Sequence, residues 1–96
     1  MTDEYVKEIA YTYFRIPSRQ IKYFNKIRDL NFVYAKMSIV YTLHDMGKNH
    51  TEIAKQIGMS RATVIGYLKT KQDRLSYDKI FNKHYKQFQN TLFNGK

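Results

Sequence analysis

Residues 51–68, TEIAKQIGMSRATVIGYL, carry the pattern of two short helices joined by a tight turn. Ile53 and Ile57 lie one turn apart and form the apolar side of the first helix. Ala54 beside them is small enough for a second helix to pack close. Gly58 comes where that helix must stop, and it tolerates the φ > 0 conformation that a sharp exit requires. Met59 covers the turn. Ser60 is a good N-cap for the second helix, in which Val64 and Leu68 share one face with Tyr67 beside them. The opposite face holds Arg61, Ala62, Ile65, Gly66 and Lys69, small residues with cations at both ends. A helix of that shape fits a DNA major groove, so the spacing predicts a helix-turn-helix over residues 50–70. A purely structural helical hairpin is the competing reading.

Working outward, Asn49 with Glu52 three residues later completes a capping box and fixes where the first of these helices begins. Upstream, residues 32–46 predict a long helix with Asn31 as N-cap and Gly47 as C′ residue. Ala35, Ile39, Leu43 and Met46 make one apolar stripe, and Val33, Met37 and Val40 a neighbouring one. A stripe that wide belongs to a central, buried helix. Residues 3–14 predict an opening helix on Val6, Ile9, Ala10 and Tyr13, ended by Pro17. A short helix from Ser18 follows, with Ile21 and Phe24 inward.

Downstream, residues 77–93 predict a last helix behind a Ser76 cap. Its Tyr77, Ile80, Phe81, His84, Tyr85, Phe88 and Leu92 recur at three and four residues. The simplest expectation is a lid folded back on the core. The alternative is that its second half, with Phe88, Leu92 and Phe93, contacts a protein partner or a second copy. No strand pattern competes, so the expected fold is all-α, with five or six helices in one domain over residues 1–96.

Lys and Arg number 17 against 8 acids, a formal charge of +9, which is the footprint of a polyanion binder. An aromatic content of 16% argues against disorder, and most of those rings are expected in the core. The absence of cysteine excludes disulfides and thiolate metal sites and fits a cytoplasmic protein. No apolar run long enough for a membrane span occurs, and the N-terminus shows no export signal. The three histidines, His44, His50 and His84, lack metal-ligand spacing, and the acids form no paired constellation. No catalysis, cofactor, metal or small-molecule substrate is therefore expected. His44 and His84 read as ordinary, partly buried residues.

Double-stranded DNA is the expected partner. Ser60, Arg61, Ala62, Thr63, Ile65, Gly66 and Lys69 are the candidate major-groove residues, with Arg61 placed for a bidentate contact to guanine. Arg61 as a phosphate clamp is the competing role. Lys48, His50, Thr51, Lys55 and Lys71 flank the motif as backbone candidates. From Ile9 to Arg28 there is no acid, yet Arg15, Arg19, Lys22, Lys26 and Arg28 occur there. That run predicts a second basic region, gripping phosphates on the other side of a groove, although a simply solvated face is the plain alternative.

Residues 9–75 follow an order of pieces that resembles the C-terminal DNA-binding domain of the bacterial replication initiator DnaA. Tyr13-Phe14-Arg15-Ile16 is similar to the stretch ending that family's opening helix, and Asn25-Lys26-Ile27-Arg28 to its basic loop. The long helix around Ala35, Met37 and Leu43, the Asn49-His50-Thr51-Glu52-Ile53 helix start, and the closing Thr63-Val64 also have counterparts. The resemblance implies a Trp-repressor-like fold, a role in replication or transcription control, and Lys26 and Arg28 in or beside a minor groove. It also suits a bacterial or phage-encoded, nucleoid-associated regulator. The family's signature is one residue longer than Gly58–Val64 here, and Arg61 stands near its base-reading His. The family's DNA target therefore does not carry over.

Overall fold

Capping chemistry marks off the elements of the chain, of which the computed structural model describes residues 1–94. Thr2 accepts a hydrogen bond from the Tyr5 N–H at 3.1 Å and starts α1 (Asp3–Tyr13). A 3₁₀ helix, Ser18–Tyr23, follows Pro17. Then come α2 (Leu30–Asp45), α3 (His50–Ile57), α4 (Arg61–Lys69), α5 (Lys71–Tyr77) and α6 (Lys79–Asn94). There is no strand among the described residues, so the fold is all-helical.

The long helix α2 is the axis on which α1, α3, α4 and α6 all pack. Every residue from 34 to 43 is buried, so its burial extends all round and exceeds the two expected stripes. Tyr34, Lys36, Ser38, Tyr41 and Thr42 are buried along with the apolar residues. Buried polar groups need partners, and some have them. The Lys36 Nζ donates to the Ile27 carbonyl at 3.3 Å, and the Gln89 Nε2 to the Thr42 Oγ1 at 2.8 Å. Burial holds the Lys36 ammonium pKa below its ordinary value, with the nearby Arg28 charge a smaller cause.

The last helix folds back as a lid. Phe81, Phe88 and Leu92 are fully buried, and Tyr85 nearly so. Phe81 and Tyr85 meet the Tyr41 ring edge-on at 6.1 and 5.7 Å, and Phe88 meets Phe14 at 5.9 Å. The apolar residues of its second half are thus committed to the core, except for the exposed Phe93.

Three expectations need correction. The 71–77 segment is a helix, giving six α-helices and one 3₁₀ helix among the described residues rather than five or six helices. Its sequence, KQDRLSY, has Leu75 as its sole inward-facing apolar residue, so periodicity gives no signal. Ser76 lies inside α5 and caps nothing; the Asp78 Oδ1 accepts from the Phe81 N–H at 2.9 Å and caps α6 instead. Tyr77 consequently falls outside the lid, 85% exposed, and Ile80 is 65% exposed. Finally, α2 begins at Leu30 behind Asp29, because the Asn31 side chain is used elsewhere, donating to the Phe14 carbonyl at 3.1 Å.

Candidate nucleic-acid interface

The α3–α4 pair is built by the local chemistry read in its sequence. Both halves of the capping box form: the Glu52 N–H donates to Asn49 at 2.9 Å, and the Asn49 N–H to Glu52 at 3.1 Å. Gly58 exits α3 in the left-handed region, at φ 72°, and the Gly58 and Met59 N–H groups both donate to the Ala54 carbonyl. The Ser60 Oγ accepts from the Thr63 N–H at 3.1 Å and starts α4. Its contact with the Thr63 hydroxyl, at 2.8 Å, ties that side chain to the cap. Ile53 and Val64 are fully buried and Ala54 and Ile57 nearly so, which fixes the two helices on α2.

This packing leaves one face of α4 outside. Arg61, Ala62, Thr63, Gly66 and Lys69 are exposed, and Ile65 is half-buried. A Cβ added at Gly66 would meet nothing within 4 Å, so no neighbour in the fold requires a glycine there. Glycine inside a helix costs about 1 kcal/mol relative to alanine. With Ala62 one turn away, Gly66 makes a flat patch on which another molecule can come close to the backbone.

The cations cluster at both ends of α3. At its start, Lys48, His50, Thr51 and Arg61 line a cleft of about 350 Å³ with Asn49 and His44. At its end, Lys55 lines a second cleft of about 460 Å³ with Lys22 and Lys26 from the basic segment. Asn25, to which sequence reasoning gave no role beyond its place in a basic loop, joins the two regions. Its Nδ2 donates to the Ile57 carbonyl at 2.6 Å and to the Gly58 carbonyl at 2.7 Å. The only signal for it was an asparagine in a loop, because its partners are more than thirty residues away.

Ion pairing separates the candidate cations further. Among the described residues, Lys48 pairs with Asp3 at 3.7 Å and Lys71 with Asp45 at 3.4 Å. Lys71 also sits 5.3 Å over the Tyr41 ring, so it serves the fold. No ion pair among the described residues involves Lys22, Lys26, Lys55, Arg61 or Lys69. Arg19 and Arg28 are exposed. Arg15, in the left-handed region at φ 59°, lines a separate groove with Leu30, Ile80 and His84. The basic segment therefore does not act as one surface.

His44 is exposed, in contrast to the partly buried position expected, because it follows the buried run of α2. Its ring stacks on His50 at 6.2 Å and 19°. His84 is half-buried, as expected, against the Tyr13 hydroxyl at 3.3 Å. Among the described residues no group of three His, Cys, Asp or Glu is placed to hold a metal ion. Among those residues no helix is long and apolar enough to cross a membrane.

No family model, curated protein or solved structure matches this chain. Function has to be argued from the site itself.

Proposed function

We propose that this protein binds double-stranded DNA through α3 and α4 as a helix-turn-helix, reading sequence in the major groove as a small regulator of replication or transcription. The observation that carries this is the exposed face of α4. It holds Arg61, Ala62, Thr63, Gly66 and Lys69, includes no acid, and keeps a glycine that no packing neighbour requires. Arg61, at the first turn, is placed to meet guanine O6 and N7, and Ala62 to pack on a thymine methyl. Lys48, Thr51, Lys55 and Lys69 contact phosphates, and Lys22 and Lys26 extend that grip across the cleft they share with Lys55. On the resemblance of its sequence to the DnaA-type, Trp-repressor-like domain, Lys26 and Arg28 would border a minor groove.

The test starts from duplexes selected out of a random pool. Arg61→Ala is expected to relax preference at one base pair, by about 1–3 kcal/mol, whereas Lys69→Ala weakens all duplexes alike. Unchanged affinity and unchanged preference in Arg61→Ala would contradict the docking.

A second reading, a protein-interaction adaptor, draws on the exposed Leu30, Tyr77 and Ile80. Removing residues beyond Leu75 cannot separate the two, since it takes away the buried Phe81, Tyr85, Phe88 and Leu92. Ile80→Asp can. Loss of a protein partner with duplex binding intact would favour the adaptor.

A further inference from the structure

The cleft where α2 ends and where α3 and α4 begin brings together side chains that were not expected to act jointly. His44 comes from the last turn of α2, Lys48 from the connecting loop, His50 and Thr51 from α3, and Arg61 from α4. Resting on the DNA-binding reading, we propose that His44 and His50, with Lys48, seat one DNA backbone phosphate and take up protons as it binds.

The charges around the two rings support this. Arg61 and Lys48 are fixed cations lining the same cleft. The surrounding carboxylates are already engaged: Asp3 by Lys48, Asp45 by Lys71, and Glu52 by the Asn49 N–H. Each imidazole stacks on the other at 6.2 Å. A phosphate placed between Lys48 and the two rings favours their charged forms. Linkage makes the effect reciprocal: if the phosphate favours protonation, protonation strengthens phosphate binding by the same factor. Imidazoles exchange protons between about pH 5 and 8, so duplex affinity is expected to rise as pH falls through that window.

The experiment measures duplex binding from about pH 5.5 to 8 at constant ionic strength, using the full chain. The unaltered protein should bind about tenfold more tightly at the acid end. His84→Gln should retain that slope, and the double variant His44→Gln, His50→Gln should bind independently of pH. On the unaltered protein, adding duplex near neutral pH should move the imidazole resonances of His44 and His50 toward their protonated positions. Affinity independent of pH, a slope retained in the double variant, or unmoved resonances would each overturn the seat alone. Absence of duplex binding at every pH would overturn the DNA-binding reading itself.

Discussion

Tyr41 is fully buried in α2, and its hydroxyl has no hydrogen-bond partner among the described residues. Its ring nonetheless serves the core, edge-on to Phe81 and Tyr85 and under the Lys71 ammonium. An unpaired buried hydroxyl costs stability, while the ring contacts survive its removal. Tyr41→Phe is therefore expected to stabilise the fold by about 1 kcal/mol, read as a higher urea midpoint at unchanged slope. A loss of similar size would show that the hydroxyl has a partner. Asn25 is the opposite case, an exposed residue whose single amide holds two carbonyls at the α3 exit. Asn25→Ala is expected to cost about 1–2 kcal/mol in the same urea titration and to loosen the Lys22–Lys26 segment from α3. Neither role could be read from sequence, because each depends on neighbours brought by distant segments.

At the scale of elements, the α3–α4 pair was legible because its instructions are local. Asn49, Glu52, Gly58 and Ser60 each act on backbone groups within four residues. The start of α6 was not, since a cap at Ser76 and one at Asp78 look equally sound until the chain is seen to run helically through α5. The α4 face is the element on which function turns, and Gly66 separates its two demands. Gly66→Ala is expected to raise stability by about 0.5–1 kcal/mol, as its Cβ enters open space. The same methyl should weaken duplex binding severalfold by holding the helix off the groove. A variant both more stable and equally tight would show that the small face is not a contact surface.

The whole molecule is a basic helical globule whose core depends on buried rings. Burial raises the pKa of Tyr11, Tyr41 and Tyr67. It pushes Tyr85 from 10.0 to about 12, with the Asp45 charge adding to the shift. A phenol whose folded value lies above its unfolded one contributes fully below the unfolded value and loses that contribution as pH rises through the folded one. For Tyr85 the window is from 10.0 to about 12, with about 2–3 kcal/mol at stake. Stability is thus expected to fall across that range, with phenolate absorbance appearing along with unfolding; flat stability there would contradict the buried ring core. The all-helical class and the lid were legible in apolar spacing, whereas the division of the basic segment was not. Only the packed chain sends Lys22 and Lys26 toward Lys55 and Arg15 toward Ile80.

Duplex affinity measured against salt tests the central claim most directly. If Lys22, Lys26, Lys48, Lys55 and Lys69 neutralise about five phosphates, the logarithm of the binding constant falls with that of salt at a slope of about −4 to −5. A slope near zero, or no duplex binding at low salt, would contradict a DNA-binding function for the α3–α4 face.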